Sequence, residues 1–144
     1  YFLPDSGLAT ALALAALRGV TVDIVMPAEG NLRLVRWASR AKLALLAARG
    51  CRVWLTPTPF DHAKLMTVDG AWATIGSANW DPRSLRLNFE LNVECYDTEF
   101  AARIDEVIDG RIAAAKPLTL ADLQDRSLAE KLRDGACWLL SPYL

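Results

Sequence analysis

The spacing of apolar residues predicts two helices in the first third of the chain. Leucines recur at helical spacing within residues 6–18, where Asp5 or Ser6 can cap the first turn and Gly19 can end the helix. A second helix is predicted from residue 31 to residue 49, closed by the glycine that follows. Each predicted helix leads directly into a short run of strand-forming residues.

These runs, rich in β-branched and aromatic residues, predict the strands. Residues 20–26 (VTVDIVM) and residues 51–55 (CRVWL) follow the two helices, while residues 65–68 and 72–75 flank an Asp-Gly pair that is typical of a tight hairpin turn. Residues 88–96 (NFELNVECY) alternate apolar and polar side chains, which predicts a strand with two unlike faces. The order of elements predicts an α/β fold, a mixed sheet with helices on both faces.

The last third of the chain predicts two more helices. Thr98 can cap a helix over residues 99–115, and Thr119 can cap a last helix that runs to Arg133. The apolar tail, residues 135–144 (GACWLLSPYL), is expected to fold back onto the core.

Composition and charge narrow the class of protein. The 144 residues are 53% hydrophobic and 23% charged, which suits one soluble α/β domain with a sizeable core. The formal net charge is −1, which argues against a nucleic-acid partner. The basic cluster Arg33, Arg36, Arg40 and Lys42 is interpreted as the solvated face of a helix. Residues 8–17, the longest apolar run near the start, are about half the length of a transmembrane helix.

The cysteines do not indicate a metal site. Cys51, Cys95 and Cys137 are widely spaced among apolar neighbours, and the chain has one histidine. We therefore expect neither a metal nor a cofactor, and we interpret the three cysteines as reduced core residues of a cytoplasmic protein.

One stretch, residues 62–84 (HAKLMTVDGAWATIGSANWDPRS), carries the candidate chemistry. His62 and Lys64 lie two positions apart, so both side chains project from the same face of a strand. An imidazole can attack phosphorus or protonate a leaving alcohol, and a fixed cation neutralises charge that grows on a phosphate ester. Ser77 and Asn79 follow a glycine that permits a sharp turn, so they can converge on one anion. Together these groups predict a site for a phosphate ester.

Single residues of this stretch also have plainer interpretations. A lone histidine is usually structural, and Gly-Ser-Ala-Asn alone would be an ordinary polar turn. Asp69 is better suited to anchoring the Asp-Gly turn or a neighbouring strand than to touching substrate. Glu90 can accept the second N–H of His62, as the acid of a catalytic triad does, or it can be a surface glutamate.

The complete spacing, His-x-Lys, four residues, Asp, six residues, Gly-Ser and then Asn, resembles the motif of the phospholipase D superfamily. The matching positions, with the downstream acid, are His62, Lys64, Asp69, Gly76, Ser77, Asn79 and Glu90. This resemblance implies a phospholipase D-like fold. It also implies catalytic roles for His62, Lys64, Asp69 and Glu90. Phosphate binding would fall to Lys64, Ser77 and Asn79.

The wider sequence resembles one branch of that superfamily, the bacterial cardiolipin synthases. The stretches that carry the likeness are residues 1–5 (YFLPD), 16–20 (ALRGV), 69–72 (DGAW), 76–84 (GSANWDPRS), 87–92 (LNFELN) and 140–142 (LSP). The likeness implies a metal-independent phosphatidyltransferase that makes cardiolipin from phosphatidylglycerol or a similar phospholipid through a phosphohistidine. Such an enzyme would work as a peripheral protein on the cytoplasmic side of the bacterial inner membrane, or in the cytoplasm.

The family's reaction needs two histidines on opposite sides of phosphorus, and this chain has one. The opening residues 1–5 look like an interrupted strand. They favour a single domain, residues 1–144, that is the carboxy-terminal half of a longer two-motif enzyme, with His62 as general acid/base. The first alternative is a phosphodiesterase or nuclease in which two copies pair, although the near-neutral charge argues against a nuclease. The second alternative is a non-catalytic assembly module.

Overall fold

Helices and strands are interspersed along the chain in the computed structural model, which describes residues 1–30 and 32–140. In chain order they are α1 (Ser6–Leu17), β1 (Asp23–Pro27), α2 (Arg33–Ala48), β2 (Arg52–Thr56), β3 (Lys64–Val68), β4 (Trp72–Gly76), α3 (Pro82–Arg86), β5 (Asn92–Cys95), α4 (Thr98–Ala114), β6 (Lys116–Pro117), α5 (Leu120–Gln124) and α6 (Leu128–Leu139). This order confirms the α/β class. The short elements α3 and β6 were not among the predicted ones.

The strands form two three-stranded sheets. In the first sheet β1 and β2 are parallel, with Ile24 opposite Val53, and β6 pairs antiparallel with β2. Helix α2 is the crossover between the parallel strands. In the second sheet β3, β4 and β5 form an antiparallel meander, and α4 contacts strands of both sheets. The second sheet and the segments at its edge carry most of the candidate site.

Two hydrophobic clusters hold the sheets to their helices. The larger cluster packs α1 and α2 against β1 and β2 through side chains such as Ala9, Leu46 and Val53, each at most 2% exposed. The smaller one packs α4 against the β3–β4 hairpin through Ala73 and Ala101, which are fully buried. The apolar surface buried in these two clusters stabilises the elements and so fixes the positions of the loops between them.

The ends of the first two helices follow the local signals in the sequence. The Asp5 side chain accepts a hydrogen bond from the Leu8 N–H at 2.8 Å and so caps α1. Gly19 and Gly50 follow α1 and α2 with φ of 93° and 96°, the left-handed conformation that suits glycine. The predicted start of α2 at Asn31 lies outside the described residues.

The cap predicted for α4 is displaced by one residue. Asp97, and not Thr98, is the N-cap, because its carboxylate accepts a hydrogen bond from the Phe100 N–H at 2.7 Å. A carboxylate at this position also interacts favourably with the positive end of the helix dipole.

The single helix predicted from Thr119 to Arg133 is in fact two helices. Thr119 caps α5 as expected, in a capping box with Asp122. A second capping box, Ser127 with Glu130, then begins α6. Ser127 Oγ accepts a hydrogen bond from the Glu130 N–H, so a new helix begins there instead of a continuation of α5.

The predicted strand over residues 88–96 is shorter than expected. Gly76, the last residue of β4, pairs with Asn92, so residues before Asn92 have no neighbouring strand to bond with. Leu87, Phe89 and Leu91 instead line an exposed segment, and their exposed fractions are 72%, 108% and 73%. This apolar segment borders the candidate site.

The tail folds back as predicted, as far as residue 140. Cys137 and Trp138 of α6 pack against Leu3 and Ala38, while residues 141–144 lie outside the described part. The three cysteines are free thiols; Cys51 and Cys137 are buried as predicted, and Cys95 is half-buried. Burial also raises the pKa of the Cys51 thiol. In the described part of the chain, no helix has the length and apolar character needed to cross a bilayer.

Candidate active site

His62 lies just before β3, so the prediction that it shares a strand with Lys64 is wrong in that detail. The two side chains nevertheless meet. Lys64 Nζ lies 2.8 Å from His62 Nδ1 and donates a hydrogen bond to the His62 carbonyl oxygen at 2.6 Å. Because an ammonium group only donates, Nδ1 acts as acceptor and we assign the ring proton to Nε2. The exposed His62 therefore carries its N–H at Nε2.

Neighbouring residues fix the loop that carries His62. The Phe60 ring packs edge-on against the imidazole, with 5.4 Å between ring centroids. Asp61 accepts a hydrogen bond from the Ala63 N–H at 2.9 Å and pairs with Arg111 of α4 at 2.5 Å. Asp61 and Arg111 were not predicted from the sequence. An aspartate two residues before a loop N–H is the signal of an Asx turn, but its ion pair depends on long-range packing.

Asp69 lies at the other end of the β3–β4 hairpin. It and Gly70 both have positive φ, 52° and 61°, and the Ala71 N–H bonds to the Val68 carbonyl at 3.1 Å, as in a type I′ turn. At the rise of a strand, Asp69 is about 16 Å from Lys64. This position confirms the predicted turn; a catalytic role for Asp69 stays a prediction.

Gly76 allows a close approach of two backbone segments. The prediction that it permits a sharp turn is wrong. Its φ is not in the left-handed region. A Cβ at this position would lie 2.4 Å from the Leu91 carbonyl oxygen, 2.7 Å from Asn92 Cα and 2.0 Å from Asn92 Oδ1. Only glycine lets the backbone before β5 come this close to β4.

This close approach joins Ser77 to the segment before β5. The Ser77 N–H donates to the Leu91 carbonyl, and the Leu91 N–H donates to Ser77 Oγ, both at 3.0 Å. The Ser77 hydroxyl donates in turn to Glu90 Oε2 at 2.5 Å, and the Asn88 amide donates to the other Glu90 oxygen at 3.2 Å. These hydrogen bonds, with that from Ser77 first, lower the pKa of Glu90, and the Lys64 charge adds to the effect.

The structure thus pairs Glu90 with Ser77. Within the described residues, no hydrogen bond joins Glu90 to His62. The Nδ1 atom of His62 instead lies beside Lys64. The predicted role of Glu90 as the acceptor of a histidine N–H therefore stays untested.

The start of α3 positions Asn79. The Asn79 Nδ2 group donates to Ser84 Oγ at 3.5 Å. Ser84 is itself held by Asp81, which caps α3 by accepting the Ser84 N–H at 2.7 Å and the Ser84 hydroxyl at 3.3 Å. Asp81 and Ser84 are buried, with exposed fractions of 7% and 5%. Neither was assigned a role from the sequence, although an aspartate followed by proline is a familiar helix start.

A cavity of about 130 Å³ brings together two of the three phosphate-binding candidates, and Ser77 is not among its lining residues. Lys64 from β3 and Asn79 from the loop after β4 both line it, beside Trp72 and Trp80. Loss of hydration lowers the pKa of Lys64, while the charges of Glu90 and two nearby aspartates act to raise it. A cation that has lost part of its hydration shell binds an anion more strongly than a fully hydrated one does.

The arrangement offers a cation, an amide and an imidazole nitrogen at one edge of the second sheet. Such groups can bind phosphate oxygens and move a proton to or from an adjacent oxygen. In residues 1–30 and 32–140, no three His, Cys, Asp or Glu side chains are grouped so that they could hold a metal ion.

Comparisons of this sequence with known proteins match it to cardiolipin synthases. A sequence profile described as "Cardiolipin synthase, PLD-like domain" matches residues 1–112. Over all 144 residues the chain is 38% identical to cardiolipin synthase A of Proteus mirabilis and 36% identical to a cardiolipin synthase of Staphylococcus aureus. The chain spans 30% and 29% of the lengths of these two relatives.

A solved structure has a similar fold. Nuc from Salmonella typhimurium, described as a phospholipase D family member, has a TM-score of 0.70 and 24% sequence identity to this chain. The superposition covers 83% of this chain and 78% of that one. The α/β arrangement of helices and strands is therefore one already seen in a crystal.

Proposed function

This chain belongs to the family of phospholipase D-like cardiolipin synthase domains, and we propose that it supplies one of two histidine motifs of a phospholipase D-type phosphatidyltransferase. The superfamily resemblance predicted from the residues is thereby confirmed. The observation that carries the proposal is the contact between Lys64 and His62, with Lys64 and Asn79 lining one cavity.

The first step begins when the phosphodiester binds to Lys64 and Asn79. Phosphate is a stronger acceptor than neutral imidazole, so it draws the Lys64 ammonium away from His62 Nδ1. The released Nδ1 takes up a proton from solvent, to which His62 is exposed, and the resulting His62 imidazolium acts as a general acid through Nε2. Glu90 is the expected acceptor for the new Nδ1–H. Substrate binding therefore charges the acid that the reaction needs.

Two displacements at phosphorus follow. A ring nitrogen of the second motif's histidine attacks phosphorus, a P–N bond forms and the P–O bond to the leaving alcohol breaks, while His62 gives its Nε2 proton to that oxygen. The acceptor hydroxyl then gives its proton to His62 and attacks phosphorus, and the P–N bond breaks. With two phosphatidylglycerol molecules the products are cardiolipin and glycerol; with water as acceptor the reaction is hydrolysis.

The second motif is proposed to lie against the segment before β5. The chain contains one histidine, so the attacking imidazole must come from elsewhere. Leu87, Phe89 and Leu91 are highly exposed beside Glu90, which is the kind of apolar surface that a partner buries. That partner is either a second half of the same polypeptide or a second copy of the chain. The phospholipid substrate also implies peripheral contact with a membrane surface, and we propose the cytoplasmic side.

The test combines the mass of the chain in solution with its activity. Purified wild type, His62→Ala and the exposed control Lys131→Ala are examined by light scattering during gel filtration. Each is then assayed on bis-(p-nitrophenyl) phosphate and on phosphatidylglycerol micelles, with cardiolipin and glycerol as products. An active dimer whose activity falls at least 1,000-fold in His62→Ala, but not in Lys131→Ala, means that two copies complete the site.

A monomer without activity on either substrate supports a half-site that awaits a second motif. In that case a segment carrying the second motif, added in trans, is expected to restore activity to wild type and to Lys131→Ala only. Activity that His62→Ala leaves intact would exclude His62 from the chemistry. Hydrolysis of the chromogenic ester without any cardiolipin would favour the phosphodiesterase alternative over the transferase.

A further inference from the structure

A second cavity, of about 280 Å³, lies at the carboxyl ends of β1 and β2. Met26 and Pro27 from β1 and Leu55 from β2 form its floor, and α2, α5 and α6 provide its walls. It shares no lining residue with the cavity at Lys64. The space outside the carboxyl ends of parallel strands is where α/β proteins commonly bind ligands.

Three arginines line this cavity: Arg36 and Arg40 from α2, and Arg126 from the turn between α5 and α6. Arg36 and Arg40 are half-buried, so their interpretation as part of a solvated helix face is wrong. The Arg36 Nε atom is fully buried and has no hydrogen-bond partner among residues 1–30 and 32–140. Buried polar atoms nearly always have a partner, so an unsatisfied donor at a cavity wall indicates a place for an acceptor.

The acids around this cavity are already engaged. Asp134, which is 1% exposed, pairs with both Arg126 and Arg133. Asp122 and Glu130 also line the cavity, but each is the acidic member of a capping box at a helix start. The acidic side chains therefore balance Arg126, Arg133 and two helix termini.

Arg36 and Arg40 are not in direct contact with an acid of the described residues, and Asp134 acts on Arg40 through its charge alone. In the described part of the chain, neither guanidinium group forms an ion pair. Burial lowers the pKa of Arg40; Asp134 acts to raise it, and the charges of Arg126, Arg36 and Arg133 lower it further. An anion in the cavity would relieve this repulsion.

We propose that this cavity is a phosphate-binding site in which the Arg36 and Arg40 guanidinium groups hold the anion. A guanidinium group presents paired N–H donors that match two oxygens of a phosphate, and the side chains of Arg36 and Arg40 both line the cavity. The volume of 280 Å³ compares with about 30 Å³ for one water in the liquid, so a phosphate fits together with ordered waters. The ligand is either free phosphate or the phosphodiester of a lipid headgroup.

The test is an NMR titration of the arginine Nε–Hε resonances of the 144-residue chain. The probes are inorganic phosphate and glycerophosphoglycerol, each added at constant ionic strength with chloride as the background anion. A saturable shift of the Arg36 resonance, identified by its loss in Arg36→Gln, is expected with at least one probe. Binding of inorganic phosphate alone means a free-phosphate site, and binding of the diester means a headgroup site.

Variants separate this site from general attraction to positive charge. Arg36→Gln and Arg40→Gln are expected to weaken binding at least tenfold. Arg40→Lys keeps the charge but loses the paired N–H donors, and it is expected to weaken binding about threefold. Arg49→Gln, at the exposed far end of α2, is the control and is expected to bind within twofold of wild type. No saturable shift with either probe, or equal weakening in Arg49→Gln, would overturn the proposal. Because no residue of the candidate active site is involved, this result is independent of the proposed transferase activity.

Discussion

Replacing Gly76 by alanine tests whether close backbone approach holds the active-site segment in place. The added Cβ would lie 2.4 Å from the Leu91 carbonyl oxygen, whereas ordinary contacts begin at 3.4 Å. The backbone at Leu91 must therefore retreat by about 1 Å. Such a retreat breaks the 3.0 Å hydrogen bond between the Ser77 N–H and that carbonyl, and it moves Glu90 away from the Ser77 hydroxyl.

The expected loss of stability follows from three contributions. Overpacking of this kind costs about 1–3 kcal/mol, and the broken backbone hydrogen bond adds about 1 kcal/mol. Alanine also restricts the unfolded chain, which returns up to about 1 kcal/mol. We expect Gly76→Ala to lower the free energy of unfolding by about 2–3 kcal/mol. With a urea slope of about 2 kcal/mol/M, the midpoint falls by roughly 1–1.5 M.

Urea unfolding followed by circular dichroism measures this change, and Gly110→Ala is the matched control. Gly110 lies inside α4, and a Cβ there meets nothing within 4 Å. The control is therefore expected to gain about 0.5–1 kcal/mol from the higher helix propensity of alanine. If Gly76→Ala stayed within about 0.5 kcal/mol of wild type, the close approach would not be the reason for glycine at this position.

Two further predictions concern titration. Ser77→Ala removes the strongest hydrogen bond to the Glu90 carboxylate, so the pKa of Glu90 should rise toward its ordinary value in a carbon-13 NMR titration; an unchanged pKa would contradict the pairing. Burial raises the pKa of Asp23, but hydrogen bonds from Arg52 and Trp54 outweigh it and leave the pKa lowered. The stability that this provides is present above about pH 4 and is lost as pH falls through the folded-state pKa. Asp23→Asn should therefore cost about 1 kcal/mol at pH 7 and progressively less below pH 4, and an equal cost at pH 7 and pH 3 would refute this.

The features predicted correctly from the sequence depend on local physics. Asp5 caps α1 with its own side chain, and Gly19 ends that helix because glycine adopts positive φ. The Asp69-Gly70 turn is equally local, since both residues tolerate the left-handed conformation. Such signals act within about four residues, so they can be read without knowing the partner strands.

The predictions were wrong where contacts between distant parts of the chain determine the local structure. The strand before Cys95 is short because β4 ends at Gly76, which no pattern within residues 88–96 reveals. Arg36 and Arg40 have the spacing of a solvated helix face, and only the packing of α5 and α6 against α2 encloses them. Periodicity therefore identified which residues share a face but not what covers that face.

In the candidate site, too, the sequence predicted which residues come together but not which side chains pair with each other. The family resemblance implies that His62, Lys64, Ser77 and Glu90 act together and that Glu90 accepts an N–H of His62, a role that stays a prediction. In the structure, Lys64 pairs with His62 and Ser77 pairs with Glu90. These pairs suit a site that exchanges partners during turnover. A bound phosphate competes for Lys64, and a protonated His62 then needs an acceptor, which Glu90 can provide if it gives up Ser77. The hydrogen bond from Ser77 lowers the pKa of Glu90 most, and the bond from Asn88 lowers it too. The Asn88 bond therefore still favours the carboxylate, which accepts the hydrogen bond from His62, after Ser77 is released. Under the proposed function, the motif supplies a set of exchangeable hydrogen-bond partners, and the order of their exchange would link phosphate binding to proton transfer.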